Sequence, residues 1–301
     1  MKISVSDLRN DRQWRAVLGL DKNRFHKLLS KFEKSYIEIY GMTLQESLVE
    51  NDIDYCIKDV EELLLFTLFC LKSGLTNDSL GFVTGMDGSS AGRNQRKGVE
   101  ILAVTLQKSG HIPRRNFMNI EEFKDYFSDS GIDTLLVDAT EQRIQRPSDS
   151  KIQKEHYSGK KKAHTLKSLL ISGTDRYIYY LSTACVGKVH DYKLMKKEFP
   201  PCKDWFRDFN IKTDLGFLGI ASDYVLKTLS IPHKKPRNSE LTEKQKNENK
   251  VVSSERIIVE HSIGGLKRYR VLSDRLRIHA IDFYDKILGV CAGLWNFYLT
   301  E

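Results

Sequence analysis

The sequence predicts a mixed α/β domain preceded by an all-α region that contains a helix-turn-helix. Three observations predict it. The first third carries helical periodicity broken at cap residues. From about residue 132 short apolar runs bounded by turn residues take over. After these the runs alternate with helical stretches, an order proper to mixed α/β folds. The regions are read as residues 1–115 and 130–301, with His111–Asn116 (HIPRRN) as a linker in which Pro113 stops the preceding helix.

The helical elements follow from their ends. Asp59–Lys72 begins with an acidic turn, DVEE, runs through LLLFTLFCLK and stops at Gly74. Acid at the start and glycine at the stop are the marks of a complete helix. A short helix follows in TNDSLGFVTGM, with Thr76 or Asn77 as N-cap, and then DGSSAGRNQRKGVEILAVTLQKSG becomes apolar-periodic from Val99. Helix, tight turn and longer helix, with Ser89, Ser90, Arg93, Gln95 and Arg96 at the last start, match a helix-turn-helix. A plain three-helix bundle with a solvated basic end fits the same residues equally well.

In the second region Thr134–Ala139 (TLLVDA), Lys162–Ile171 and Tyr177–Val186 read as strands, the last two joined by a hairpin at Gly173-Thr174-Asp175. Tyr192–Phe206 reads as a helix interrupted at Pro200 and Pro201. Asn210–Asp214 and Ser230–His233 read as short strands. Glu240–Val271 is a long helical stretch, and Ala280–Leu299 closes the chain as an apolar helix that should bury Trp295 and Phe297. Trp205 is likewise expected in the core.

Composition narrows the function. In 301 residues, 40% apolar, a real core can be buried. Lys and Arg exceed Asp and Glu by 48 to 40, a balance that suits a polyanionic partner and is also common in proteins that bind none. The five cysteines are scattered and form no C-x-x-C pair, against both a disulfide framework and a zinc ribbon. The polar start MKISVSDLRNDRQW is unlike a signal peptide. Leu63–Leu71 and Ile287–Leu299 fall short of the about 20 residues a bilayer needs. A soluble protein of a reducing compartment is expected, with no membrane partner.

Three acids stand out by position. Asp138 ends an apolar strand in LLVDATEQ, where a carboxylate is held rigid yet can reach solvent. Asp214 repeats the placement in IKTDLGFLG, with Gly216 and Gly219 allowing a sharp turn. Glu260 lies on a helix, four residues after Arg256 and seven before Lys267, so the three share a face, while Ile257, Ile258, Ile263 and Leu266 can serve the other. Taken alone, that face reads as a solvated Arg–Glu salt bridge. Taken with the two strand-end acids, it suits phosphoryl transfer, because hard divalent cations prefer oxygen ligands. Asp223 and Glu255 are the nearest substitutes should one acid be misassigned. His190-Asp191 starts a helix with Asp191 as its simplest N-cap, and His164 is expected to be packed.

The spacing Arg256, Glu260, Lys267 fits the signature Y-x2-R-x3-E-x6-K, and Asp214-Leu-Gly216-Phe217-Leu-Gly219 fits D-x-G-[YF]-x-G. Asp138 heads a first-strand motif, YSGKKKAHTLK (Tyr157–Lys167) matches a second-strand block, and AGLWNF (Ala292–Phe297) a final helix. Through these motifs, over most of its length, the sequence resembles bacterial insertion-sequence transposases of the DDE superfamily, in the group related to Harbinger-type nucleases. It departs from the signature at Ser253, which stands where the group has tyrosine, a change that bears on any DNA contact made by that tyrosine and not on metal binding.

The resemblance implies an RNase H-like core in which Asp138, Asp214 and Glu260 bind two Mg²⁺ ions, with Mn²⁺ as a substitute. Water would cut a phosphodiester at the element's end, and the freed 3′-OH would attack target DNA. Arg256 and Lys267 would contact the DNA backbone, as would Lys160, Lys161 and Lys162. Arg93 and Arg96 would bind DNA from the helix-turn-helix, and Lys234, Lys235 and Arg237 lie in a loop where contact is also expected. The partner is double-stranded DNA, at terminal inverted repeats and at the target, with a homodimer or larger assembly in the bacterial cytoplasm at the nucleoid. Two rivals remain: a domesticated DNA-binding protein, and a metal-dependent nuclease without strand transfer.

Overall fold

The computed structural model describes residues 1–51, 55–276 and 280–301. They form two compact units, Met1–Ile112 with Gly265–Glu301, and Pro113–Gly264.

The first unit is helical: α1 (Asp11–Leu18), α2 (Lys22–Tyr40), α3 (Leu44–Asn51), α4 (Val60–Ser73), α5 (Asn77–Thr84), α6 (Gly88–Lys108) and, from the chain's end, α12 (Ile281–Thr300). Thr76 and Gly74 lie where the sequence puts them, and Asp59 and Asp87 add N-caps it did not name. Asp59 accepts the Glu62 amide at 2.7 Å, Thr76 caps α5, Asp87 accepts the Ser90 amide at 2.8 Å, and Gly74 ends α4 in the left-handed conformation. The α4 run Leu63–Leu68 is buried throughout, as a helix apolar on all sides must be. It packs on α1, α2 and α6, and α6 also touches α2, α5 and α12. Where α4 meets α6, Thr67 leaves no room for a Cβ at Gly98. Apolar on most sides, α12 buries Phe283, Tyr284 and the run from Ile287 to Phe297 on this helical unit. By packing, therefore, the α/β unit runs from Pro113 to Gly264, and the closing helix groups with the helices.

The second unit has a mixed sheet. Its strands are β1 (Thr134–Arg143), β2 (Tyr157–Ser158), β3 (Ala163–Ser172), β4 (Ile178–Leu181), β5 (Cys185–Val186), β6 (Asn210–Lys212) and β7 (Thr228–Ser230). The order is β2-β3-β1-β6-β7, with β4 and β5 also paired to β3. β3 runs antiparallel to β1 with Asp138 opposite Leu170, whereas β6 lies parallel to β1, and β7 parallel to β6. The helices are α7 (Ile120–Asp129), α8 (Ser150–His156), α9 (Asp191–Glu198), α10 (Ile220–Asp223) and α11 (Glu243–Lys267), whose last residues enter the first unit. This is a mixed α/β architecture, a mixed sheet flanked by helices.

Alternation along the strands sorts the two faces. Leu135, Val137, Leu169, Ile171 and Ile211 point to one face, where α7 and α9 close an aromatic-rich core with Phe123, Phe127, Phe199, Trp205 and Phe206. Asp138 and Lys212 alternate to the other.

Several elements differ from expectation for local reasons. The strand expected over Tyr177–Val186 is two, because the β3–β4 register shifts at Ile171/Ser172 and the chain between Leu181 and Cys185 leaves the ladder. β1 continues past Ala139 to Arg143, since β3 offers partners as far as Thr165. The helix expected over Tyr192–Phe206 ends at Glu198, just before Pro200-Pro201. β6 stops at Lys212, leaving Asp214 in the turn. β7 lies at Thr228–Ser230, earlier than Ser230–His233. Trp205, Trp295 and Phe297 are buried, as expected of core residues.

Candidate active site

Asp138 sits mid-strand in β1, its side chain only 15% exposed. Its Oδ1 accepts the amide of Ala139 at 2.7 Å. Asp214 follows β6 and caps a single 3₁₀ turn, Leu215–Phe217, by accepting the Gly216 amide at 2.8 Å. From α11, Arg256 reaches both carboxylates, Nη2 lying 3.8 Å from Asp138 Oδ2 and 4.0 Å from Asp214 Oδ2. Two acids distant in sequence thus meet at one guanidinium.

The electrostatics are under-compensated. Neither contact is at hydrogen-bond distance, and the buried Nε of Arg256 has no hydrogen-bond partner. Burial raises the pKa of Asp138 to about 6; the Asp214 and Asp191 charges add to the rise, while the Ala139 amide and Arg256 oppose it.

Asp191 is the third carboxylate near this pair. It is not the N-cap of α9, a role taken by the His190 ring, which accepts the Tyr192 amide. Asp191 is instead the first helical residue, with Oδ1 2.6 Å from the buried Nζ of Lys167. The same ammonium donates to the Val189 carbonyl at 2.6 Å and lies 3.5 Å from Glu141 Oε1, opposite it across the β1–β3 ladder. Oδ2 of Asp191 faces the turn after Asp214: a Cβ on Gly216 would lie 2.8 Å from Asp214 Oδ1 and 3.2 Å from Asp191 Oδ2. Gly216 thus leaves two carboxylates room to lie close, and a methyl group there would push one of them aside.

Glu260 stands one turn along α11 from Arg256, exposed, with no side-chain hydrogen bond or ion pair among the described residues. Among those residues no group of three or more His, Cys, Asp or Glu is gathered to hold a metal ion. The two substitute acids are engaged elsewhere. Glu255 pairs with Lys212 at 2.9 Å, and Asp223 accepts from Tyr192 at 2.5 Å and Lys196 at 3.1 Å, contacts that lower its pKa. On α11 the buried face is Val259, Ser262 and Leu266, while Ile257, expected on the apolar side, is 45% exposed.

The basic residues fall into separate groups. Lys160, Lys161 and Lys162 are exposed in the β2–β3 turn, where Lys162 takes φ +48° and Lys160 Nζ lies 3.7 Å from Asp191 Oδ2. Lys234, Lys235 and Arg237 are exposed in the loop before α11, and Lys267 is half-buried at that helix's end. On α6, Arg93 is exposed and donates to Ser90 Oγ at 2.8 Å, and Arg96 lies over the Phe283 ring at 4.6 Å. Gln95 is buried, so it does not share their exposure. His164 packs against the Tyr157 ring.

Sequence reasoning missed Lys167 as the buried partner of Asp191 and Glu141. The signal was present: two residues before Leu169 and four before Ile171, it had to lie on the buried face, where an ammonium requires a carboxylate.

Among the described residues no helix is long and apolar enough to cross a membrane. A protein similar to this chain is a probable transposase for insertion sequence element IS702 from Microchaete diplosiphon, 32% identical over 167 residues. The alignment covers 55% of this chain and 57% of that protein, so the chain spans little more than half its length. No solved structure matches the chain at a significant level. The family model of DDE superfamily endonucleases matches residues 137–296, a span that takes in Asp138, Asp214, Arg256 and Glu260. With that match over half of its residues, the chain belongs to the DDE superfamily of endonucleases.

Proposed function

We propose that the protein is a DNA transposase with an RNase H-like core, its reaction carried by Asp138, Asp214 and Glu260. The observation that carries this reading is the meeting of Asp138 and Asp214 at Arg256 in a chain of this superfamily.

The side chains fit a divalent cation. Asp138 and Asp214 offer only carboxylate oxygens, the donors that Mg²⁺ and Mn²⁺ prefer. One guanidinium, with its Nε unpartnered, leaves their charge only partly offset. Asp138, Asp214 and Glu260 would hold two Mg²⁺ ions, Mn²⁺ substituting. Bound there, the ions supply Lewis acidity to the phosphoryl group and ease deprotonation of the attacking water.

The chain's own residues do the rest. β1 and the Gly216 turn keep two of the carboxylates fixed, so those two need no reorganisation when substrate arrives. Glu260, exposed on α11, would have to turn inward to complete the acidic set. Arg256 offsets phosphate charge beside the reacting phosphorus, and Lys160, Lys161, Lys162 and Lys267 hold the strand by its backbone. Water oxygen attacks phosphorus at the element's end and loses a proton to solvent; the bond to the 3′ oxygen breaks, and that oxygen takes up a proton from solvent, leaving a 3′-OH opposite a 5′-phosphate. That hydroxyl then attacks a target phosphodiester and displaces the target's own 3′ oxygen. The α4–α5–α6 segment serves as a helix-turn-helix for terminal repeats through Arg93 and Arg96. Joining two ends to one target calls for a dimer or larger assembly, working in the bacterial cytoplasm at the nucleoid.

The test uses an end-labelled duplex carrying the terminal repeats that flank the gene, with a supercoiled target and Mg²⁺. Nicking at the repeat end and joining to target are expected. Asp138→Ala, Asp214→Ala or Glu260→Ala should abolish both while leaving binding in place. Cutting without joining would reduce the protein to a nuclease, and binding without cutting would make it a DNA-binding protein.

A further inference from the structure

The helical unit contains a cavity of about 450 Å³ of which the proposed reaction uses only Arg96. It opens where the α4–α5 turn, the first half of α6 and the segment after α11 come together. Its polar lining includes Asn77, Gln95, Arg96, Arg270, Asp274 and Arg275. Three guanidinium groups face one carboxylate, and that carboxylate is engaged, Asp274 lying 3.1 Å from Arg270.

Two observations separate this cavity from an ordinary basic surface. Gln95 is 7% exposed, lines the cavity, and makes no side-chain hydrogen bond among the described residues. Its amide opens into the cavity and is free to donate to a ligand that enters. Arg96 is also fixed in place over the Phe283 ring. The positive potential is felt nearby: the ammonium of Lys72, which donates to the Arg268 carbonyl at 2.8 Å, has its pKa lowered by burial and then by Arg268 and Arg270.

We propose that this cavity binds a phosphodiester of a DNA strand, with Arg96, Arg270 and Arg275 as anion contacts and the Gln95 amide as the buried donor. Arginine suits the role because its planar fork presents paired N–H groups to two phosphate oxygens. The cavity can admit a backbone segment, being within the range of about 300–1,000 Å³ that ligand sites occupy. The proposal rests on the reading of the chain as a DNA enzyme and gives the helical unit a backbone anchor separate from Arg93.

The test measures binding of a fluorescein-labelled duplex of about 30 base pairs and arbitrary sequence by anisotropy, over a series of KCl concentrations without divalent metal. Arg270→Gln and Arg275→Gln should each flatten the plot of log K against log [KCl] by about 0.9 and weaken binding roughly fivefold at about 0.1 M KCl. Gln95→Leu should weaken binding with the slope unchanged. Circular dichroism checks each fold, and the exposed arginine variants keep the test valid if Gln95→Leu does not fold. Unchanged slopes and affinities in both arginine variants would overturn the proposal. Calorimetry with inorganic phosphate separates the sources of the anion: wild-type binding that the arginine variants lose, without any change in duplex affinity, would mark a small-anion site and likewise overturn it. Flattened slopes in a protein that never cuts DNA would keep the anchor and remove the endonuclease reading, so the two failures are distinct.

Discussion

Replacing Asp138 by asparagine should stabilise the metal-free protein while abolishing its chemistry. In the fold its pKa rises from 3.8 to about 6, with burial the largest cause. At about 1.36 kcal/mol per tenfold change in proton affinity, ionising Asp138 in the fold costs about 3 kcal/mol more than in the unfolded chain. The side chain is 15% exposed, so solvent screens little of this. The raised pKa fixes the sign. Between pH 3.8 and about 6 the folded state binds the extra proton, so stability from this group is full below the unfolded pKa. It is lost as pH rises through the folded one. An asparagine at this position would carry no such proton. Urea unfolding in EDTA should therefore find Asp138→Asn close to wild type at about pH 4 and up to about 3 kcal/mol more stable at about pH 8, a large share of a typical domain's stability. Added Mg²⁺ should stabilise the wild type at the higher pH and leave the variant unchanged. A variant no more stable than wild type at that pH, or a difference independent of pH, would refute the reasoning.

Lys167→Met should cost about 3–5 kcal/mol by urea unfolding near neutral pH, because Asp191 and Glu141 lose the ammonium they share in the interior. A loss below about 1 kcal/mol would show that the pairing is not what holds these acids. Gly216→Ala should lower the cleavage rate by about a hundredfold while leaving the circular dichroism unchanged, because the new methyl group displaces Asp214. Full activity would mean that the turn can shift freely.

The acids at the ends of apolar runs were legible because two constraints coincide there: the run must be buried, and the charge must be able to leave it. Asp138 and Asp214 carry both marks, and glycines beside Asp214 announce the turn. Asp191 was hidden by chemistry that allows two roles, since an aspartate beside a histidine at a helix start caps as readily as it pairs. Only the position of β3 under α9 decides between them, and that is a long-range fact. Lys167 was masked by the lysines before it, although its step from Leu169 placed it inside. Thr76 and Gly74, set by neighbouring residues, were readable as the cap of α5 and the stop of α4. The division of β4 from β5 was not, because a register shift depends on the partner strand.

The sheet ends on both sides in short pieces: β7 has three residues, and β2, β4 and β5 have two, four and two, while β1 and β3 each have ten and lie inside. The long runs of backbone amide and carbonyl are thus kept from open borders, where they would template pairing with a neighbour's strand. Copies crowded along one polymer could reach high local concentration without seeding cross-β aggregates through these margins.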